Sequence, residues 1–383
     1  MMRMPVGSMA VAGFGAMAGM LGMMLAGSAG GARAGQAATD KMAVSPVTAK
    51  AAHQDPAVDQ KYDISMLVWT FLAGSPGNVS SGPAGQAEDV QSGVGVDNSG
   101  NYYWTTYAAP FLRRYSKDRN WVSTVAGSAR GYLDGPLERA RFSGAGYNQS
   151  NLIAVSADGK HIFFVDRTMW RHVDCDSGMM STVGEFPKKD GKGILFILRD
   201  KSGDIFALCT DGTEPPDCKG YRKLNAAAWD KPGWQAFDGV ALDAEKMLFY
   251  YHCRGAPQVV DLRTGRTTGI TSGGEKRKEK TGSLKGASFW CSSGLSISAK
   301  GRYLFMGGGD DQFCWRLDLE GDKALIIGRN ARGDDLMFRE QGADFSPWRT
   351  TSTAWPANPI FEVDGLGGVW PTQEGLFRLA PVK

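Results

Sequence analysis

At 383 residues, with 42% hydrophobic and 22% charged residues, the chain has the composition of an ordinary globular protein, which excludes disorder throughout. Its formal net charge of +3 is too small to argue for a nucleic-acid partner, and no basic stripe with interleaved aromatics stands out, so none is expected. The 51 glycines and 11 tryptophans point to many turns between aromatic-rich strands.

Residues 1–34 read as a secretory signal: an early charge at Arg3, an apolar stretch from Met9 to Ala26, and the small-residue triplet Ala32-Arg33-Ala34 where a leader is cut. The competing reading is a retained anchor, since the apolar stretch approaches the roughly 18 to 20 residues a span requires. Its many Gly and Ala residues favour export to the periplasm or the medium, with no stable membrane span after processing. Residues 35–62 read as a flexible linker, which leaves 63–383 as the folded domain. Export carries the 6 cysteines into an oxidising compartment. Cys209 and Cys218 bracket a turn-rich loop and are the expected local bridge, with Cys253 and Cys291 the next pair.

From residue 67 onward one pattern recurs. An alternating apolar run, a turn rich in Gly and Asp, and a second apolar run appear as "SGVGVDNSGNYYW" from Ser92, "NLIAVSADGKHIFFVD" from Asn151 and "GILFILRDKSGDIFAL" from Gly193. They appear again as "FDGVALDAEKMLFYY" from Phe237, "SSGLSISAKGRYLFM" from Ser292 and "NPIFEVDGLGGVWPT" from Asn358. Each copy reads as a β-hairpin. Third and fourth strands follow in several copies, as in "WRHVDC" from Trp170 and "MSTVGE" from Met180. Four strands per unit, repeated, predict an all-β, six-bladed β-propeller of four-stranded blades. The segment Met66 to Gly74 precedes any complete unit, so it is expected to close the ring beside "EGLFRLAPV".

The connector and the hairpin after it resemble the NHL-repeat family of propellers. Thr124-Val125-Ala126-Gly127, Asp134-Gly135 and Ala140-Arg141-Phe142 match the family's connector, and Ala154 to Gly159 with Phe163 to Asp166 match the strands that follow. The likeness runs from Leu67 to Gly184 and fades beyond it. It implies a ring of blades whose connector leaves the outside of one blade and crosses to the inner strand of the next.

In such a ring, the loops from second to third strand and the crossings between blades share one face, where ligands meet propellers. The candidate binding residues on it are Tyr107, Tyr147, Asn148, Asp166, Arg167, Trp290, Asp310 and Trp355. A carbohydrate or a protein is the expected partner, Trp290 and Trp355 offering flat faces to sugar rings. "FYYHCRG", Phe249 to Gly255, supports a second reading: an enzyme on an acidic polysaccharide, with His252 or Tyr251 as base and Arg254 neutralising the substrate carboxylate. Against it, alternate residues of this strand point into the blade as packing. "GGGDDQ", Gly307 to Gln312, holds two adjacent carboxylates that could bind Ca2+, but it lacks the alternating spacing of a calcium loop. With 4 histidines in the chain, a zinc cage is not expected either, so no metal or other cofactor is predicted.

Overall fold

A computed structural model describes residues 67–73, 81–83, 94–105, 110–143, 152–186, 193–229, 239–252, 256–271, 281–287, 293–298, 300–307, 313–329, 360–361, 368–372 and 375–381. Every regular element among them is a strand, and no helix there is long and apolar enough to cross a membrane. The fold is an all-β propeller built from small sheets that are antiparallel but for one parallel pair in the third.

The first unit contains β3 (Val94–Val96), β4 (Tyr102–Thr105), β5 (Leu112–Ser116) and β6 (Trp121–Ala126), with β2 (Gly82–Pro83) added outside β6. The second contains β8 (Ile153–Val155), β9 (His161–Asp166), β10 (Met169–Asp174) and β11 (Met179–Glu185), with β7 (Gly135–Pro136) added outside β11. A third sheet holds β12 (Leu195–Arg199), β13 (Ile205–Cys209) and β14 (Arg222–Lys223). The next two are β15 (Gly239–Asp243) to β18 (Arg266–Gly269), through β16 (Leu248–His252) and β17 (Pro257–Asp261), and β19 (Ser293–Ile297) to β22 (Lys323–Arg329), through β20 (Tyr303–Gly307) and β21 (Phe313–Asp318). In the last, β1 (Leu67–Ala73) pairs antiparallel with β25 (Gly375–Pro381), and β24 (Gly368–Thr372) and β23 (Ile360–Phe361) follow.

The expected uniform four strands therefore become three to five. The fifth strand arises because the connector does more than cross. After β6 it lays β7 along the outer edge of the following sheet, then returns to that sheet's inner strand β8. The third sheet pairs its last short strand parallel to β13, since the segment carrying Cys218 replaces a regular hairpin there.

First strands of successive sheets lie side by side: β3 beside β8, β8 beside β12, β12 beside β15, β15 beside β19, β19 beside β23, and β23 beside β3. The apolar core sits between neighbouring sheets, one cluster spanning the second to fourth sheets and others joining the first to the second and the fourth to the fifth. Trp104, Trp170 and Trp315 are fully enclosed. Trp170 also donates its Nε1–H to the Leu195 carbonyl at 2.7 Å, tying the second sheet to the third through a group that would be costly to bury unpaired.

Turns between first and second strands are held by short acceptors. Asp97 accepts the amides of Ser99 and Asn101, Asp200 those of Ser202 and Asp204, and Ser156 and Ser298 take the equivalent role with their hydroxyls. Asp174, Asp261 and Asp318 bind the amides of the turns after the third strands. This is why the repeated Asp and Ser recur at fixed offsets: side-chain acceptors fix the tight turns that the strand lengths demand.

Candidate functional site

The loop face begins at the ends of the second strands. Asp166, the last residue of β9, is fully enclosed; it accepts the Ser143 amide at 2.9 Å and lies 3.5 Å from the Arg171 guanidinium. Burial pushes its carboxyl up to about 6, against the pull of the Ser143 amide and Arg171. Asp166 thus holds Ser143 at the end of the connector, and it offers no surface to a ligand. Arg167 follows with φ 57° in the left-handed region and is exposed at the tip of the β9–β10 turn. Tyr107, Tyr147, Asn148, Arg254, Trp290, Asp310 and Trp355 lie outside the described residues.

His252 ends β16, opposite Gly239 and Pro257, and is completely enclosed. Tyr251 is buried beside it and donates its hydroxyl to Gln258 Oε1 at 3.4 Å. Both candidate bases, His252 and Tyr251, therefore stand inside the blade.

Three side-chain networks escaped the sequence reading. In the first, Arg171 on β10, 1% exposed, donates to Asp134 Oδ1 at 2.7 Å, and Asp134 also accepts the amide and hydroxyl of Thr182 on β11. Phe142 packs edge-on against Phe164 with ring centroids 5.0 Å apart. Together these clamp the connector to the sheet it serves. Arg113 does the same one unit earlier, donating to Ser81 Oγ at 3.3 Å and to the Thr124 hydroxyl. The signal was present: Arg113 and Arg171 stand three residues before the end of equivalent strands.

The second is a chain of titratable groups at the opposite end of the second sheet. His161 Nδ1 lies 3.1 Å from His172 Nε2, and Cys218 Sγ lies 3.4 Å from His172 Nδ1. Phe163 stacks on the His172 ring at 4.4 Å. Burial holds His172 down to about 4 and pushes the Cys218 thiol up to about 11. The expected Cys209–Cys218 bridge is not formed. Cys209 is a thiol packed into the core on β13, whereas Cys218 turns to the imidazole of the neighbouring sheet. Cys253 and Cys291, the second expected pair, lie outside the described residues. No cluster of three or more His, Cys, Asp or Glu able to hold a metal occurs among the described residues.

The third is at the axis, where the first strands of five sheets enclose a cavity of about 150 Å³. Its lining is mostly Val, Ile, Leu and Ala, with Gly95 and Ser296 among them and the charged residues Arg199, Asp200 and Lys201 contributed by one strand and its turn. Arg199 reaches from β12 to β3, donating to the Val96 carbonyl at 2.6 Å and to Asn98 Oδ1 at 2.5 Å.

No protein-family model and no curated protein matches the sequence. Solved structures do resemble it. A Bacteroides thetaiotaomicron structural-genomics protein of unknown function gives a TM-score of 0.55 at 13% identity, covering 82% of this chain and 76% of its own. An auxiliary nutrient binding protein of the same organism gives 0.54 at 10% identity, over 83% of this chain and 77% of its own. A second auxiliary nutrient binding protein, from Bacteroides ovatus, gives 0.52 at 11% identity over the same shares, 83% and 77%. At such identities the likeness establishes the β-propeller fold and nothing finer.

Proposed function

We propose that the chain is an exported, ligand-binding propeller. Residues 1–34 are its leader, 35–62 its linker, and 63–383 six blades of one ring closed by β1. The cycle of first-strand neighbours and the pairing of Leu67 with Pro381 through Ala73 with Leu376 support the ring. The partner, a carbohydrate or a protein, docks on the loop face around Arg167, with Tyr107, Tyr147, Asn148, Trp290, Asp310 and Trp355 contributed by the loops of that rim. Asp166 serves as the buried anchor of that face. Two similar structures bear the name of nutrient-binding proteins, a role of the same class.

The observation that carries binding over catalysis is the enclosure of His252. A general base must come within hydrogen-bond reach of the proton it removes, and a side chain with no exposed surface meets no substrate. The lyase reading through His252, Tyr251 and Arg254 accordingly ranks second.

Thermal-shift screening of the intact protein against neutral and acidic oligosaccharides and candidate peptides tests the reading, because a ligand that binds only the folded state raises the melting temperature. The account expects a shift with at least one compound and no unsaturated uronate from any acidic polymer. Absence of any shift removes the binding reading. Uronate absorbance that disappears in His252→Ala replaces it with the enzyme.

A further inference from the structure

The axial cavity has a charge imbalance. Lys201 is neutralised by Asp243 at 3.1 Å and Glu245 at 2.8 Å. Asp200 spends its carboxylate on the amides of Ser202 and Asp204 and the Ser202 hydroxyl. Arg199 by contrast meets only neutral acceptors, the Val96 carbonyl and Asn98 Oδ1. Asp97 acts on it through space, its own oxygens being taken by Ser99, Asn101 and Tyr103. Among the described residues no carboxylate lies within ion-pair distance of Arg199.

A guanidinium has five N–H donors, of which these two bonds use two. Burial disfavours its charge while Asp97 and Asp200 favour it through space; with neither carboxylate in direct contact, an anion that bonds the guanidinium would offset the cost of burying it. The planar fork of arginine matches a carboxylate in geometry as well as charge. Most other lining side chains are aliphatic, contributed by strands β3, β8, β12, β15 and β19 and interrupted by Gly95 and Ser296, and the space is partly open to solvent. A cavity of about 150 Å³ accommodates a molecule of about six carbons.

We propose that this cavity binds a short-chain aliphatic monocarboxylate, its carboxylate on the unused N–H groups of Arg199 and its alkyl tail against the axial strands. The site is separate from the loop face and stands or falls without it.

Calorimetric titration of the full chain with butyrate and valerate, at fixed ionic strength, tests this, with butyramide as the neutral counterpart. The expected result is saturable one-to-one binding of the acids and weaker binding of the amide. Arg199→Gln is expected to weaken the acids about 10- to 100-fold, the worth of a charge-assisted hydrogen bond. Because Arg199 also bridges two sheets, Ala241→Leu provides a second variant that fills the cavity and leaves the guanidinium in place; it abolishes binding while circular dichroism stays unchanged. Three results overturn the proposal: no saturation by either acid, equal affinity for butyramide, or undiminished binding in a folded Arg199→Gln or Ala241→Leu protein.

Discussion

Replacing Asp166 with Asn probes how the loop face is held. The carboxyl is enclosed and lifted from 3.8 to about 6, first by burial, while the Ser143 amide and Arg171 pull the other way. A lift of about two units corresponds to about 3 kcal/mol of cost for ionising it inside the fold, taken as an upper figure. The sign follows from proton binding: the folded state holds this proton more tightly than the unfolded chain, so the group's contribution is fully present below about pH 4. That contribution is lost as pH rises through about 6. Asn keeps an oxygen for the Ser143 amide and carries no charge, and Arg171 retains Asp134 at 2.7 Å as its closer partner. Urea unfolding of both proteins, followed by tryptophan fluorescence from about pH 4.5 to about pH 7.5, isolates the effect in the difference between them. The stability of Asp166→Asn relative to the native protein is expected to rise across that range by up to about 2 kcal/mol, the remaining ~1 kcal/mol falling below about pH 4.5. A flat difference, or one of opposite slope, refutes the reasoning, because it means that Arg171 and Ser143 compensate the buried charge in full.

Other outcomes follow from single positions. Gly159 and Gly178 both have positive φ, +72° and +67°, but a Cβ at Gly159 would meet Tyr103 Oη at 2.7 Å and Asp97 Oδ2 at 2.8 Å, whereas Gly178 faces open space. Alanine at either pays the left-handed strain, so Gly159→Ala should cost at least about 1 kcal/mol more than Gly178→Ala by urea midpoint; equal costs contradict the packing argument. The Cys218 thiol, raised to about 11, should resist iodoacetamide near pH 8 in the folded protein and react faster on unfolding, whereas rapid native-state alkylation mapped to Cys218 by mass spectrometry counts against its half-buried contact with His172. A chain beginning at residue 74 lacks β1 and exposes the β25 edge, so it should melt lower and self-associate relative to one beginning at residue 35; matching melting curves contradict the closure.

The hairpins were legible because their signals are local: alternating apolar runs such as Ile153–Val155 and His161–Asp166 flank a turn whose Ser156 hydroxyl satisfies its own amides. The connector was partly legible. Its crossing from β6 to β8 followed from the repeat, but the short β7 depends on Asp134 meeting Arg171 and Thr182, which lie 37 and 48 positions away. The same limit hid the axis, where Arg199 bonds Asn98 at a separation of 101 residues. It also misdirected the cysteines: closeness in sequence suggested a bridge between Cys209 and Cys218, while the strand geometry buries one and turns the other to a different sheet. For the candidate site, "LFYYH" left its inward and outward residues open, and the answer came from packing, which encloses both Tyr251 and His252.

The central claim, that a partner docks on the loop face, is tested most directly by hydrogen–deuterium exchange of the intact chain with and without the compound that shifts its melting temperature. The account predicts protection confined to the rim around Ser143 and residues 166–168, together with the loops after β4, β16 and β20 and the segments leading into β8, β19 and β23. Protection at the opposite turns, Asp97 to Asn101 and Asp261 to Gly265, with none on that rim, would contradict it.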